Sequence, residues 1–396
     1  MSIISTDQRN FFKKHGWVII SGAVSKTLCD KVFNESLNHA THLLQKPPTY
    51  FDVVLDAVDQ GVKEPIPILR DVTRTFVQKL GPLHGYMLRG HGFAYLPSVI
   101  ELKSSVSKCY AHMYKTNNFL FSLDNPAIGF PPEYSGLFSH KKADPFHLDD
   151  VMGVGTIQSW VAIRDVNDAA DATLGVLDGS NVLFNEFQKH KQFFCGENHN
   201  KWAAGGHMLT KEDLNWYETR GAFPLYITCK KGDMVFWDST TVHCGTRPRI
   251  KERTKPNIRG IVYTHAFTYD HLSYGRWKRY KKLIENGKGC NHICDAEIHR
   301  QRVYGNPAHV VVTPKAKTKE MADKSLEVYK KLKCGKFFGM EPMVFKELEQ
   351  RFGKKSKTNV VPCSVSRVIA SRNQHSFFKK PNLVNMDESP KKRMCK

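Results

Sequence analysis

Three candidate metal ligands constrain the fold of this 396-residue chain more than any other feature of its sequence. His147 and Asp149 flank Leu148, and residues i and i+2 of a β-strand project from the same face. His243 lies 96 positions after His147, so only a fold that brings distant strands side by side can complete the set. Two imidazoles and one carboxylate on one side of a metal leave its other positions open, as in non-haem Fe(II) centres that activate O2. We therefore predict a metal site at His147, Asp149 and His243.

The His-x-Asp pattern is weak by itself, because a strand histidine beside a turn carboxylate arises easily by chance. Its surroundings make it more specific. Segment 156–163 has the β-branched and aromatic residues of a buried strand. Gly232-Asp233 is a turn pair, and it precedes a short apolar strand at 234–237 that leads towards His243. The sequence thus predicts buried strands close to each group of candidate ligands.

A basic residue opens another predicted strand after the second histidine. Arg259 begins the run 259–264, in which strand alternation can direct the first side chain into a barrel. Arg253 is nearer to His243 in sequence but lies in the charged, proline-containing segment 247–257, which has the composition of a loop. We predict that Arg259 pairs with an anionic co-substrate, and we keep Arg253 as the alternative.

Several separated segments resemble the phytanoyl-CoA dioxygenase-like family of 2-oxoglutarate oxygenases. Segment 11–22 looks like the opening of that family, where a short helix leads through a glycine to a hydrophobic strand. Segments 160–165 and 174–180 are similar to the region after the His-x-Asp pattern, which ends in a Gly-Ser turn. The resemblance spans about residues 8–268. It departs from the family at Asn181, where members usually have a histidine, and in the longer spacing before the arginine.

The resemblance implies a mainly β fold with flanking helices (α+β), whose core is a double-stranded β-helix of the jelly-roll or cupin-like type. It also implies that His147, Asp149 and His243 bind Fe(II) and that Arg259 binds 2-oxoglutarate, with ascorbate as a candidate reductant. The expected activity is that of a dioxygenase that hydroxylates an organic substrate and releases succinate and CO2. The substrate stays open between small molecules and groups carried on a polymer. Asp149, where halide-installing relatives need a small residue, favours hydroxylation.

Two other classes of function stay open at the level of sequence. One is a catalytically inactive barrel that serves as a scaffold for a basic extension binding nucleic acid or another polyanion. The other is a zinc-dependent hydrolase or isomerase, because zinc accepts the same imidazole and carboxylate ligands as iron. The first alternative predicts no succinate formation, and the second predicts activity without O2 or 2-oxoglutarate.

Positive charge is concentrated in the C-terminal part of the chain. Residues 251–396 hold 33 Lys and Arg against 13 Asp and Glu, whereas residues 1–250 hold 26 against 25. We predict an oxygenase domain at 1–275, a basic helical extension at 276–353 and a basic, disordered tail at 354–396. The basic region suits nucleic acid or another polyanion, or else forms a solvated face that keeps the protein soluble.

The ten cysteines lack the spacing of a disulfide framework, so we expect reduced thiols. The sequence shows neither a transmembrane run nor a secretory signal, and we predict a soluble, intracellular, cytoplasmic protein. The basic cluster 391–393 is also compatible with a nuclear location. One local group offers four ligands for structural zinc, or else consists of ordinary thiols and imidazoles: Cys290, His292, Cys294 and His299.

Outside the site motifs, the sequence predicts three further features. Ser25 is a candidate N-cap for an amphipathic helix that ends near Gln45. Segment 121–142 is rich in Gly and Pro, so we predict a loop over the site entrance. Segment 188–222 is predicted to be an insert between barrel strands, with histidines that serve packing or lie at the surface rather than bind metal.

Overall fold

The structure is a computed structural model that describes residues 4–80, 88, 92–117, 119–137, 146–149, 151, 156–192, 206–268, 280, 283, 289–290 and 303–304. Most of the predicted extension at 276–353 and all of the predicted tail at 354–396 lie outside these residues, as do His292, Cys294 and His299. Within the described part of the chain, no helix is both long and apolar enough to cross a membrane.

The helices lie mainly in the N-terminal third of the chain. They are α1 (Thr6–His15), α2 (Lys26–Leu44), α3 (Asp52–Asp59), α4 (Pro67–Leu80), α5 (Pro97–Ser105), α6 (Ser107–Tyr114), α7 (Pro132–Ser135), α8 (Ser180–Lys191) and α9 (Lys211–Glu218), with short 3-10 turns at Pro48–Phe51 and Phe93–Tyr95.

The strands begin with one at the N-terminus and then follow α6. They are β1 (Trp17–Ile20), β2 (Phe119–Phe121), β3 (Pro126–Gly129), β4 (His147–Leu148), β5 (Ile157–Ala162), β6 (Leu174–Leu177), β7 (His207–Met208), β8 (Pro224–Tyr226), β9 (Met234–Asp238), β10 (His243–Gly245), β11 (Arg259–Tyr263), β12 (Ala266–Thr268), β13 (Gly289–Cys290) and β14 (Val303–Tyr304).

Two five-stranded antiparallel sheets form the body of the protein. The large sheet has the order β1-β9-β5-β11-β3, and the small sheet has the order β7-β4-β10-β6-β8. Successive strands alternate between the sheets from β3 to β6 and again from β9 to β11, which is the topology expected of a double-stranded β-helix. The inner faces of the two sheets share one buried cluster that includes Trp160, Val176, Trp237 and Ile261. The prediction of a sheet body with flanking helices is confirmed.

The outer face of the large sheet is covered by helices. Its outward side chains, such as Val161 and Phe236, belong to a second buried cluster that contains Phe33 and Leu37 of α2. The Ser25 hydroxyl accepts a hydrogen bond from the Leu28 amide at 3.2 Å, so the predicted N-cap and helix are confirmed.

The predicted loop at 121–142 and the predicted insert at 188–222 are only partly correct. Strand β3 lies within the first segment and pairs with β11 at the edge of the large sheet. Pro126 is tolerated there because an edge strand has one side without ladder partners. Strand β7 lies within the second segment and pairs with β4 as an edge of the small sheet. Two residues are too few to show strand periodicity in a sequence.

Part of the predicted extension packs against the body. The Tyr280 hydroxyl donates a hydrogen bond to the Phe121 carbonyl at 2.9 Å, and Leu283 is also buried. These two residues belong to the buried cluster on the outer face of the large sheet. The beginning of the basic region is therefore anchored on the helical side of the molecule.

Two turn glycines test the close backbone approach between the turn before β9 and the segment before α2. Gly232 has φ +96°, and a Cβ there would lie 2.4 Å from the Val24 carbonyl oxygen, whereas Gly22 has φ +62° and open space around it. We expect Gly22→Ala to cost about 1 kcal/mol, because L-residues disfavour the left-handed region, and Gly232→Ala to cost at least about 1 kcal/mol more. Urea unfolding of both variants measures the difference, and equal losses would contradict the close backbone approach.

Candidate metal centre

The structure brings the three predicted metal ligands together. His147 and His243 are direct partners across β4 and β10, and their ring centroids lie 4.5 Å apart. The Asp149 Oδ1 atom lies 3.4 Å from His147 Nε2, and its Oδ2 atom lies 3.5 Å from His243 Nε2. One ligand atom from each residue lies within 4.8 Å of the other two. Among the described residues, this is the one group of His, Cys, Asp and Glu with the geometry to hold a metal ion.

Strand alternation explains why these side chains share one side of the small sheet. Leu148 is fully buried with Leu177 and Val242 in a cluster on the outer face. Its neighbours in the chain, His147 and Asp149, therefore face the space between the sheets. Side-chain exposure is 22% for His147 and 21% for Asp149, but only 4% for His243. A ligand can thus approach from the side of His147 and Asp149.

His243 is held in the tautomer that suits a metal ligand. Its Nδ1 atom lies 2.9 Å from the Thr241 carbonyl, which can only accept a hydrogen bond. The proton is thereby placed on Nδ1, and the lone pair is left on Nε2, which faces Asp149. The Trp237 ring, 5.6 Å from the His243 ring between centroids, limits movement of the imidazole from the opposite sheet.

Gln158 positions the candidate carboxylate, and sequence analysis missed it. The Gln158 side-chain amide donates a hydrogen bond to Asp149 Oδ2 at 2.8 Å from strand β5, and the residue is fully buried. It faces inward because it alternates with Ile157 and Ser159, and its inward neighbour on β5 is Trp160. The available signal was a single long polar residue within an otherwise apolar strand, since buried amides normally have a specific partner.

Arg259 lies inside the body, as predicted. It is 5% exposed and shares the inward face of β11 with Ile261 and Tyr263 of the inter-sheet cluster. Its Nη1 atom donates a hydrogen bond across to the Thr173 carbonyl at 3.1 Å, at the start of β6. Thr173 precedes Val176, the partner of His243, by three residues, which is roughly 10 Å along a strand. The guanidinium of Arg259 therefore contacts the small sheet roughly 10 Å along β6 from the level of His243.

Arg253 has a different environment from Arg259. Its guanidinium is almost fully buried and forms ion pairs with Glu133 and Asp171, the latter at 3.2 Å. Asn257 also donates a hydrogen bond to the other oxygen of Asp171, at 2.8 Å. These carboxylates pair with the charge of Arg253 inside the protein, whereas the described contact of Arg259 is with a backbone carbonyl. The segment is a charged loop, as predicted, and Arg253 is its buried member.

Four described thiols and His207 are buried away from the candidate metal ligands. Cys29, Cys109, Cys229 and Cys244 are free and buried, and burial raises the pKa of the Cys229 thiol to about 12. His207, in the predicted insert, is buried, and its Nε2 atom lies 2.9 Å from Asp213. Burial also lowers the pKa of His207, while the contact with Asp213 opposes this shift. The packing role predicted for this histidine is confirmed.

Comparison with known proteins gives distant relatives. No family model matches the chain. The chain is 28% identical over 173 residues to the Ava biosynthesis cluster protein O of Aspergillus versicolor, a match that covers 39% of this chain and 50% of that protein. The chain therefore spans half the length of this curated relative.

Solved structures also resemble the chain at a distance. AviO1 from Streptomyces viridochromogenes is 11% identical with a TM-score of 0.38, and the match covers 68% of this chain and 96% of AviO1. SnoK, a non-heme alpha-ketoglutarate-dependent carbocyclase from nogalamycin biosynthesis, is 15% identical with a TM-score of 0.34, and the match covers 69% of this chain and 90% of SnoK. Because these similarities are weak, a functional proposal has to rest on the residues of the site.

The contrast between the two arginines can be tested through stability. Arg253→Ala leaves Glu133 and Asp171 buried without their cation, and we expect a loss of about 3–5 kcal/mol in the free energy of unfolding. The control is Lys31→Ala, which removes an exposed ion pair with Glu101 and should leave the urea midpoint nearly unchanged. A midpoint for Arg253→Ala equal to that of the control would show that the buried ion pairs are not structural.

Proposed function

We propose that this protein is an Fe(II)- and 2-oxoglutarate-dependent dioxygenase with His147, Asp149 and His243 as metal ligands. The observation that carries the proposal is the convergence of these three side chains on the inner face of the small sheet, within 4.8 Å of one another. Two imidazoles and one carboxylate give a donor set suited to Fe(II), and they leave positions open for a co-substrate and O2.

The placement of Arg259 relative to the metal ligands supports 2-oxoglutarate as the co-substrate. Arg259 supplies a planar pair of donors for a carboxylate at the bottom of the space, roughly 10 Å along the strand from the level of His243. The inward position of β10 after His243 is Gly245, which places no side chain between the metal ligands and the guanidinium. A five-carbon dicarboxylate can therefore reach from the ligands to Arg259.

The indole of Trp160 supports a polar ligand in the same space. Its Nε1 atom is buried on the inner face and has no hydrogen-bond partner in the part of the chain that the structure describes. A buried donor without a partner is costly, and a bound acceptor would relieve that cost.

The chain's own residues orient the candidate metal ligands. Thr241 fixes the tautomer of His243, and Trp237 packs beside the same imidazole. Gln158 donates a hydrogen bond to one oxygen of Asp149. Bound iron and 2-oxoglutarate would supply the oxidising power for attack on a C–H bond, with release of succinate and CO2. Asp149 fills the position that halide-installing relatives leave open, which supports hydroxylation as the outcome.

The other classes of function make different predictions. An inactive scaffold has no need for an arginine buried between the sheets or for the oriented tautomer of His243. A zinc enzyme would turn over without 2-oxoglutarate. The suggested binding of nucleic acid or another polyanion by the basic region at 276–396 stays a prediction.

Succinate formation from 2-oxoglutarate with Fe(II), O2 and ascorbate, without added substrate, tests the proposal. We expect slow turnover by the wild type and at least about a hundredfold less by Asp149→Ala, which loses a metal ligand. Arg259→Ala should require at least about tenfold more 2-oxoglutarate, because charge-assisted hydrogen bonds worth about 1.5–3 kcal/mol are lost. Lys31→Ala, which removes one surface charge, should match the wild type. Equal turnover by all four proteins, or none by the wild type, would contradict the proposal.

A further inference from the structure

A single row of side chains crosses the inner face of the small sheet through both candidate histidines. Strand pairing places Met208 opposite His147, His147 opposite His243, His243 opposite Val176, and Val176 opposite Leu225. Paired residues of antiparallel strands project from the same face of a sheet. The two histidines occupy the middle of this row, and both ends are aliphatic.

The register on β7 fixes the direction of Met208. Its neighbour His207 is paired with Leu148, and both are buried on the outer face. Because side chains alternate along a strand, Met208 projects towards the metal side of the sheet. Neighbouring strands lie about 4.8 Å apart, so Met208 is one strand away from His147, whereas Leu225 is two strands away from His243.

Met208 differs from the rest of the row in its exposure. Val176 is fully buried, but Met208 is 62% exposed and Leu225 is 39% exposed. The open side of the site is also that of His147 and Asp149, whose side chains are 22% and 21% exposed. Met208 thus lies beside the accessible part of the candidate metal centre.

Two described charges near β7, those of Asp213 and Lys191, lie on the side of His207, which is the other face. Asp213 contacts the ring of His207 and forms an ion pair with Lys191 at 2.9 Å. His207, Asp213 and Lys191 thus pair with one another on the outer side of the small sheet. Among the residues that the structure describes on β7, the inner face therefore offers the substrate a soft thioether rather than a charge.

We infer that Met208 forms one wall of the substrate site and that the substrate presents an uncharged carbon skeleton to the metal there. This inference rests on the proposed function. The apolar wall would orient a C–H bond beside His147 by contact, while any polar groups of the substrate face the solvent side. Met208 would accordingly determine specificity rather than take part in the reaction.

Turnover without substrate can report the position of Met208. A thioether next to the centre can accept one oxygen atom of O2, while the other enters succinate and 2-oxoglutarate supplies the two remaining electrons as it loses CO2. We expect methionine sulfoxide at Met208 in tryptic peptide 202–211, at least about tenfold above a reaction without 2-oxoglutarate, with catalase present in both. Fragment ions distinguish Met208 from His207, and the buried Met113 and Met234 should stay unmodified.

The controls separate this inference from the proposed function. Lys31→Ala, at the surface, should form succinate and the Met208 sulfoxide as the wild type does. Met208→Leu should gain no oxygen at position 208, and Asp149→Ala should show neither sulfoxide nor succinate. Absence of succinate from the wild type would defeat the proposed function itself. Succinate formation without oxidation of Met208 would leave the proposed function standing and overturn the placement of Met208 beside the centre.

A matched pair of small molecules tests the apolar character of the wall. Cyclohexanol should lower the amount of Met208 sulfoxide per succinate at least about twofold, because it can cover the thioether. Cyclohexanecarboxylate at the same concentration should protect less, since its charge would lose hydration against an apolar surface. Equal or stronger protection by the carboxylate, or protection by neither compound, would overturn the assignment of an uncharged substrate face.

Discussion

The pairing of His147 with His243 across β4 and β10 is the contact on which the rest of the site depends. A slip of one residue in either strand would turn an imidazole to the outer face and bring Leu148 or Cys244 inward. Two features hold this register. Leu148 and Val242 are buried on the outer face of the sheet, and β10 continues its pairing with β6. Apolar burial therefore sets the geometry of a polar site.

The large sheet contributes three residues that contact the small sheet at or near the site. Gln158 contacts Asp149, Trp237 packs near His243, and Arg259 reaches across to the Thr173 carbonyl. Each of these residues alternates with outward side chains that are buried under the helices. The helical cover thus fixes the large sheet, and the large sheet positions the groups that orient the ligands and receive the co-substrate.

Sequence patterns predicted those elements whose periodicity is local. The helix capped by Ser25, the apolar strands β5 and β9 and the strand opened by Arg259 are visible in short windows. Edge strands β3 and β7 were missed because one contains proline and the other has two residues. The environment of Arg253 was not predictable, since its partners Glu133 and Asp171 are 120 and 82 positions away. The role of Gln158 was also not predictable, because it depends on a contact with Asp149 between the two sheets.

The central claim is that one ion and 2-oxoglutarate bind together between His147, Asp149, His243 and Arg259. Anaerobic addition of 2-oxoglutarate to the Fe(II)-loaded protein tests it directly, because chelation of Fe(II) by the 2-oxo acid gives a visible charge-transfer absorption. We expect a band that saturates at one equivalent of Fe(II) and does not form with succinate. It should be lost in Asp149→Ala and need more 2-oxoglutarate in Arg259→Ala. The wild type forming no band, or an equal band in Asp149→Ala, would contradict it.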